Sequence, residues 1–255
     1  AVIIAGAAYR ARSLDRSGAA AAALLGTAVF GLGGLPWAVV LMAFFISSSG
    51  LSRLAGRRKA ALNEKFSKGH RRDAGQVLAN GGVAGIFVLL HLAFPEADWP
   101  WAAFAGALAA ANADTWATEL GVLSRRLPRR ITTWRTVERG ASGGVTAAGT
   151  LAALSGAAWI ALFAAVLRPG GGLPWLGMGA VVLAGLAGSL ADSLLGATVQ
   201  SIYYCPRCEK ETERHPRHLC GAQTMPLRGW RWLDNDWVNA ACTLTGALLA
   251  AVLVL

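Results

Sequence analysis

Two carboxylates interrupt an apolar, alanine-rich stretch of the chain, in ANADTWATEL at 111–120. At about 100° per helical residue, the polar side chains of this stretch share one arc of about 160°: Asn112, Asp114, Thr115, Thr118 and Glu119. Ionisable groups are costly inside a membrane and usually face a cavity or a partner. The stretch therefore indicates a metal or phosphate site, or else a buried polar network that only supports the structure.

A second stretch carries the same Ala-Asp-Ser/Thr pattern. Ala191-Asp192-Ser193 corresponds to Ala113-Asp114-Thr115, and Gln200 shares the arc of Asp192, which spans about 100°. Two equivalent helices would present Asp114 and Asp192 to one divalent cation. Mg²⁺ suits such an all-oxygen site, because it is bound through carboxylates and bridges substrate phosphates.

A glycine-rich segment, RGASGGVT at 139–146, leads from a basic loop into an apolar stretch. Glycines let the backbone approach an anion, and a helix N-terminus offers N–H groups without helical partners. The candidates for phosphate contact in this segment are Arg139, Ser142, Gly143, Gly144 and Thr146. The alternative is that Ser142 caps the helix and the glycines serve packing.

Basic and polar residues also lie at the starts of two other apolar stretches, within KFSKGHRRDAGQVLANGG at 65–82 and after Leu233. Three of the polar ones follow one another at i, i+3 and i+7 on a single helical stripe. In chain order the candidates are Lys65, Lys68, Arg71, Asp73, Gln76, Asn80, Asp236 and Asn239. We expect these groups to meet the carboxylates at one side of the membrane.

The loop before the last apolar stretch contains four residues with the spacing of a zinc site. Cys205 and Cys208 form Cys-x₂-Cys, and His218 and Cys220 follow as His-x-Cys, which fits a closed tetrahedral Zn²⁺ site. His215 is the alternative nitrogen ligand. Free thiols and a redox pair are the competing interpretations, but a cytoplasmic loop disfavours disulfides and a thioredoxin-like context is missing.

Membrane helices must position these groups. Only 15% of the residues are charged and 55% are hydrophobic, with a mean hydropathy of +0.45, whereas soluble domains carry about 25% charged residues. A membrane helix needs about 20 apolar residues, and Gly33-Gly34-Leu35-Pro36 divides the long run 17–52. Eight crossings are predicted, near 1–10, 18–33, 35–52, 74–94, 99–124, 142–167, 173–201 and 236–255.

We therefore predict an all-α fold, a polytopic integral membrane helical bundle of about seven to eight transmembrane helices. Residues 1–255 would form one transmembrane domain, with a small cytoplasmic Cys/His loop inserted at 201–235. Because the chain does not begin with Met, we expect its start to lie upstream of Ala1.

The basic residues indicate the orientation of this bundle. Of 24 Lys and Arg residues, 23 lie within 10–16, 53–72, 125–139 and 207–231, and the exception is Arg168. Basic loops accumulate on the cytoplasmic side, and eight crossings place all four there, in the cytoplasmic membrane. Topology and anionic lipid headgroups explain the net charge of +10, so no nucleic-acid partner is expected.

The order and spacing of these motifs resemble the phytyl-phosphate kinase family, integral membrane proteins of prenyl-lipid salvage. The resemblance extends over most of the chain and rests on RDAGQVLANGG, NADTWATELG, ITT, GASGGVT, AGSLADSLLGATVQ and the CPRC…HLCG…GWRWLDNDWVN run. An NND-type element expected in the last motif is Leu233-Asp234-Asn235-Asp236 here. The resemblance implies phosphoryl transfer from a nucleoside triphosphate, with CTP favoured, to an isoprenyl monophosphate, giving the prenyl diphosphate.

This chemistry assigns expected roles to the candidates. Asp114, Glu119 and Asp192 would bind Mg²⁺ directly or through water. The residues expected to hold phosphates are Lys65, Lys68, Arg71, Arg139 and Ser142-Gly143-Gly144, and those expected to orient them are Asn80, Asn112, Gln200, Asp236 and Asn239. The expected partners are the nucleotide, the isoprenyl phosphate and membrane lipids, and a homo-oligomer is compatible with the sequence.

Other functions use similar residues. A lipid cytidylyltransferase would release pyrophosphate, and a CTP-dependent prenol kinase would require the free alcohol. An ion-coupled transporter would also use intramembrane Asp, Glu and Asn, but its polar groups would lie near the midplane and not at one membrane face. A purely structural protein would tolerate Asp114→Asn and Asp192→Asn.

Overall fold

The computed structural model describes residues 1–56, 71–171 and 175–255. The helices in these ranges are α1 (Val2–Arg10), α2 (Arg16–Gly56), α3 (Ala74–Ala93), α4 (Trp99–Gly121), α5 (Ala147–Leu167), α6 (Trp175–Thr198) and α7 (Asn235–Val254). The strands are short: β1 (Arg129–Arg130), β2 (Gly144–Val145), β3 (Ile202–Cys205), β4 (Lys210–Thr212) and β5 (Met225–Arg228). The chain is thus a helical bundle with small strand content, as the sequence predicts, and its described strands lie in the connections.

Helix α2 is a hairpin of two helical arms. Its 41 residues would extend about 60 Å, twice the thickness of the hydrocarbon core. Gly34 interrupts the helix with φ 79° and ψ −165°, a left-handed conformation that glycine adopts without steric cost. The second arm returns to the start of the first, because Nη2 of Arg53 donates to Oγ of Ser13 at 2.7 Å. The two crossings predicted at 18–33 and 35–52 correspond to these arms.

Five helices in the described part of the chain are long and apolar enough to cross a membrane. They cover Arg16–Leu54, Ala74–Ala93, Ala147–Leu167, Leu176–Thr198 and Asn235–Val254. Helix α4 lies outside this group although it has 23 residues. All its residues from Pro100 to Ala113 are buried, so the surrounding helices and not lipid cover its alanine-rich half.

Small residues allow α4 to pack closely against its neighbours. A Cβ added to Gly106 would lie 2.4 Å from the carbonyl oxygen of Gly246 on α7, and one added to Gly188 on α6 would lie 2.5 Å from Cβ of Ala110. Glycine and alanine at such positions let helix backbones approach within membranes. The middle of α4, at Gly106 and Ala110, is therefore held against α6 and α7, and Asp114 follows one turn later.

The connections add two small sheets near the ends of these helices. Strands β1 and β2 pair antiparallel, with Arg129 opposite Val145 and Arg130 opposite Gly144. The second sheet has the order β4-β3-β5 and occupies the segment between α6 and α7. The first sheet ties the basic connection after α4 to the glycine-rich segment before α5.

Candidate active site

A polar cavity of about 300 Å³ lies among the ends of α2 to α7. It contains most of the residues that the sequence nominates, drawn from stretches far apart in the chain. The nominated residues in its lining are Gln76, Asn80, Asp114, Glu119, Arg139, Ser142, Gly143, Gly144, Thr146, Asp192, Ser193, Gln200 and Asn239. The structure therefore brings the polar ends of these helices to one place.

The carboxylates of Asp114 and Asp192 face this cavity from neighbouring helices. Their charges are close enough to act on each other, and the charge of Glu213 also acts on Asp192. Oδ2 of Asp192 is buried and accepts no hydrogen bond from a described residue. Like charges held together in a partly buried site favour a cation between them, so the arrangement fits the expected Mg²⁺.

Glu119 occupies another part of the same cavity. Its Oε1 accepts a hydrogen bond from Oγ of Ser52 at 3.0 Å, and the charge of Arg72 acts on it. Ser52 belongs to the end of α2, so this hydrogen bond joins the second arm of the hairpin to α4. The geometry thus places Glu119 beside a cation, whereas Asp192 lies beside other carboxylates.

Arg72 is the basic side chain that enters the cavity just before α3. Its backbone is fixed by two hydrogen bonds, from its N–H to the carbonyl of Ser13 and from the N–H of Asp15 to its carbonyl, at 2.9 and 3.0 Å. Burial lowers the pKa of the Arg72 guanidinium to about 10, while the charge of Glu119 acts in the opposite direction. Arg72 is therefore cationic at neutral pH and suited to bind an anion.

The neighbouring Arg71, nominated from the sequence, has a different environment. It is exposed, and its guanidinium carbon lies 5.9 Å from the centre of the Tyr9 ring. Lys65 and Lys68 lie outside the described residues. Sequence alone could not distinguish the two adjacent arginines, because the direction of each side chain depends on how the loop joins the start of α2.

The glycine-rich segment lies directly on α6. A Cβ on Gly143, whose φ is +77°, would lie 2.4 Å from Cβ of Ala197. Oγ of Ser142 donates to Oε1 of Gln200 at 2.5 Å, and Nε2 of Gln200 donates to Oε1 of Glu213 at 3.1 Å. These contacts link the segment, α6 and the Cys/His loop along one wall of the cavity.

Thr146, and not Ser142, caps helix α5. Its side-chain oxygen accepts from the N–H of Gly149 at 2.9 Å, which satisfies one of the N–H groups at the helix start. Ser142 instead contacts Gln200, as described above. The alternative that Ser142 is the helix cap is therefore not what the structure shows.

Arg139 lines the cavity but also holds the end of α4. Nη1 donates to the carbonyl of Val122 at 3.1 Å and to that of Ser124, and Nη2 donates to the carbonyl of Arg125 at 3.1 Å. A guanidinium has five N–H donors, and three of these hydrogen bonds go to backbone. Its charge can act on an anion in the cavity, while its geometry fixes the turn that follows α4.

Asn112 lies outside the described lining of the cavity and is fully buried. Its Nδ2 donates to the carbonyl of Gly156 at 2.8 Å, and its Oδ1 accepts from Oγ of Ser47 at 2.9 Å. These two hydrogen bonds join α4 to α5 and to the second arm of α2. Asn112 therefore positions the helix that presents Asp114.

Asp73 and Asp236 also lie outside the described lining. Asp73 is the N-cap of α3, where its Oδ1 accepts from the N–H of Gln76 at 2.9 Å and Oε1 of Gln76 accepts from its N–H at 3.2 Å, a capping box. Asp236 packs against the first turn of α3, since a Cβ on Gly75 would lie 2.3 Å from its Oδ2. Both residues are placed to hold the starts of helices beside the cavity.

The lining also contains polar residues outside the set nominated from the sequence, among them Ser52, Arg72, Glu213 and Asn235. Ser52 ends an apolar arm and Glu213 belongs to the Cys/His loop, so only the fold brings them near Asp114. Asn235 is adjacent to the nominated Asp236, and helical phase decides which of the two faces the cavity. The basic character of 71–72 was the one signal for Arg72.

The Cys/His loop contains a second candidate site. The ligand atoms of Cys205, Cys208, His218 and Cys220 all lie within 4.8 Å of one another. Nδ1 of His218 is 3.5 Å from Sγ of Cys208 and 3.3 Å from Sγ of Cys220. His215 is directed elsewhere and stacks on Tyr203, with ring centres 4.6 Å apart. A Cys₃His set of this kind could hold a metal ion and suits Zn²⁺.

The hydrogen bonds within this cluster shift the pKa values of two of its thiols in opposite directions. The backbone N–H of Ala222 and a hydrogen bond to His218 lower the pKa of Cys220 to about 6. The hydrogen bond with Cys220 raises the pKa of Cys208 to about 11. Because the thiolate is the form that binds a metal, the lowered pKa of Cys220 suits it to be a metal ligand.

Comparison with known proteins identifies the family. Residues 1–247 match the family described as integral membrane protein DUF92. Protein PGR of Arabidopsis thaliana is 34% identical over 96% of this chain and 90% of its own length. An uncharacterised membrane protein of Methanocaldococcus jannaschii is 35% identical over 74% of the chain and 75% of its own length. The chloroplastic Protein VTE6 of Arabidopsis thaliana is 24% identical over 94% of the chain and 65% of its own length.

No solved structure matches the chain significantly. The family match covers nearly all of the chain, and it confirms the resemblance inferred from the motifs and the prediction of an integral membrane protein. The chain belongs to the DUF92 family of integral membrane proteins.

Proposed function

We propose that this protein is a membrane kinase that transfers a phosphoryl group from a nucleoside triphosphate, with CTP favoured, to an isoprenyl monophosphate such as phytyl or geranylgeranyl phosphate. The observation that carries the proposal is the polar cavity, in which Asp114 and Asp192 lie with Arg72 and a glycine-rich segment. Phosphoryl transfer requires carboxylates that bind a cation, and it requires basic side chains and backbone N–H groups that bind phosphates. The resemblance to the phytyl-phosphate kinase family supports the same reaction.

The carboxylates serve charge neutralisation in this proposal. Asp114 and Asp192 would hold Mg²⁺, with Glu119 as a further ligand or a ligand through water. When bound there, the ion would supply positive charge to offset the negative charge that accumulates on the phosphates during transfer. The hydrogen bond from Ser52 fixes the Glu119 carboxylate in its direction toward the cavity.

The phosphates are held by Arg72 and by the backbone of Gly140–Gly144, with the charge of Arg139 behind them. An oxygen of the acceptor phosphate attacks the γ-phosphorus, the bond to the β,γ-bridging oxygen breaks, and the nucleoside diphosphate leaves. The acceptor phosphate is already an anion near neutral pH, so no general base is required. Gln76, Asn80, Gln200 and Asn239 orient the two substrates.

The cavity faces the cytoplasm in this proposal, because the basic connections lie at the same ends of the helices. Cys205, Cys208, His218 and Cys220 would hold a Zn²⁺ ion that orders residues 201–235, the segment in which Glu213 accepts a hydrogen bond from Gln200. The nucleotide reaches the cavity from the cytoplasm, while the lipid phosphate remains at the membrane surface.

The activity is tested with the purified full chain in detergent, Mg²⁺, CTP or ATP, and phytyl, geranylgeranyl or farnesyl phosphate. We expect prenyl diphosphate and nucleoside diphosphate in equal amounts. Release of pyrophosphate would identify a cytidylyltransferase, and a requirement for the free prenol would identify an alcohol kinase. Absence of product with every pair of substrates, from protein shown to be folded, would refute the proposal.

Substitution of Arg72 is expected to lower the catalytic efficiency with the prenyl phosphate acceptor. Arg72→Gln should lower kcat/KM for the prenyl phosphate by about a hundredfold, because a buried charge-assisted contact to phosphate is lost. Arg72→Lys should recover part of the loss, because lysine restores the positive charge but lacks the planar guanidinium group that binds phosphate with two hydrogen bonds. Steady-state kinetics with varied prenyl phosphate measure both effects.

Arg71→Gln is the matched control for this pair of variants, because Arg71 is adjacent in sequence, equally charged and exposed. Its kcat/KM should stay within about threefold of the wild type. Equal losses in the Arg71 and Arg72 variants would show that the net charge of the loop matters and not the position of one guanidinium.

A further inference from the structure

A second cavity of about 300 Å³ lies beside the polar one, between α1, the two arms of α2 and α3. Its walls are aliphatic and aromatic over most of their area, with Leu25, Phe30, Leu35, Met42 and Phe44 among them. The proposed phosphoryl transfer makes no use of these residues. Such an apolar cavity suits a hydrocarbon chain.

Three residues line both cavities: Arg72, Gln76 and Asn80. The guanidinium carbon of Arg72 lies 5.7 Å from the centre of the Phe44 ring on the apolar side, and the charge of Glu119 acts on it from the polar side. A cation is thus held at the boundary between a polar and an apolar space. This junction is complementary to an amphiphile with an anionic head and a hydrocarbon chain.

Part of the lining of the apolar cavity is exposed at the surface of the bundle. Phe30, Leu35 and Ile4 line the cavity, and 54%, 66% and 44% of their surfaces are exposed. Along the second arm of α2 the lining extends from Phe45 to Leu35, ten residues or about 15 Å of helix. That distance is about half the hydrocarbon thickness of a bilayer, so the cavity leads from the middle of the membrane to the polar site.

We infer that this apolar cavity binds the prenyl chain of the lipid substrate, with its phosphate at Arg72, and that the lipid enters sideways from the bilayer between the arms of α2 and α1. The inference rests on the proposed function for the identity of the chain. It assigns acceptor chain-length selectivity to α2, which takes no part in the carboxylate site apart from Ser52. The junction offers one cation, Arg72, beside one apolar cavity. We therefore assign the site to a lipid with one phosphate and one hydrocarbon chain, an isoprenyl phosphate.

A bulky side chain in the apolar cavity tests the inference. Ala38 is half-buried and lines the cavity, whereas Ala28 on the other arm is exposed and lies outside its described lining. Ala38→Phe should lower kcat/KM for geranylgeranyl phosphate by about tenfold or more and leave that for a five-carbon prenyl phosphate unchanged. Ala28→Phe adds the same ring elsewhere and should change neither value.

Binding of radiolabelled geranylgeranyl phosphate without nucleotide separates this inference from the proposed function. If no acceptor is phosphorylated but Ala38→Phe still weakens binding about tenfold, the kinase assignment fails and the cavity assignment stands. If the wild type is active and Ala38→Phe affects all chain lengths equally, the cavity assignment is refuted and the kinase assignment stands. Ala22→Phe, on the opposite wall of the cavity, gives the same test if Ala38→Phe does not fold.

The same binding assay tests the type of lipid. An excess of a diacyl phospholipid with an anionic headgroup should displace little of the bound prenyl phosphate, and farnesyl phosphate should displace it well. If the diacyl lipid displaces the bound prenyl phosphate efficiently, the cavity is a general lipid site and the inference is overturned.

Discussion

Asp192→Asn is expected to reduce phosphoryl transfer by about a thousandfold, the loss typical when a group that stabilises transition-state charge is removed. Asn keeps the size of the side chain but removes the charge that faces Asp114 and the buried Oδ2 acceptor. The variant should also require a higher concentration of Mg²⁺ for half-maximal rate. Prenyl diphosphate formation over a Mg²⁺ titration measures both changes.

The substitution should not lower the stability of the folded protein. Asp192 lies beside other carboxylates, so loss of its charge removes repulsion, and the melting temperature should be unchanged or higher, as is common at functional sites. Asp98→Asn is the control, because Asp98 is exposed at the other end of α4, where it pairs with Arg168. An Asp192→Asn enzyme with more than about a tenth of wild-type activity would contradict the role given to the carboxylate.

Cys205→Ala is expected to abolish metal binding in the Cys/His loop and to lower activity by about ten- to a hundredfold. The loss of activity follows because the loop carries Glu213, which accepts a hydrogen bond from Gln200 in the cavity wall. Metal analysis of the purified protein should show about one equivalent of zinc in the wild type and almost none in the variant. Limited proteolysis should cut the variant between β3 and β5 faster than the wild type.

Cys242→Ala is the matched control, since Cys242 is a buried cysteine of α7 at a distance from the cluster in sequence. It should retain zinc and protease resistance. If zinc is equally low in wild type, Cys205→Ala and Cys242→Ala, the metal assignment fails. If Cys205→Ala loses zinc but keeps full activity, the loop is a separate structural unit and Glu213 has no part in the reaction.

Helical phase predicted that Asp114 and Asp192 face the interior of the bundle, and both line the polar cavity. Asp114 and Asp192 lie on stretches whose polar residues share one helical face. In a membrane protein such a face turns toward the interior of the bundle, because ionisable groups are costly in contact with lipid. The Cys-x₂-Cys and His-x-Cys spacing likewise predicted the four residues that the structure brings together. In both cases the constraint is local, within a helix or a short loop.

Residues whose direction depends on contacts between distant segments were harder to predict. Asn112 shares the polar face of Asp114, but hydrogen bonds to Ser47 and Gly156 bury it two residues before the cavity begins. Arg72 enters the cavity because its backbone is bonded to Ser13 and Asp15, a contact with no local signal. Glu213 reaches the cavity only through the fold of the loop.

Helix α4 has a consequence for how the protein is made. On leaving the insertion machinery it would present two carboxylates and an alanine-rich surface to lipid, and it lacks the apolarity of the five helices that qualify as spans. A helix of this kind is stable in a bilayer only once its neighbours cover it. We therefore expect α4 to remain with the translocon until α5, α6 and α7 have been synthesised, so that the chain becomes resistant to quality-control proteases only when nearly complete.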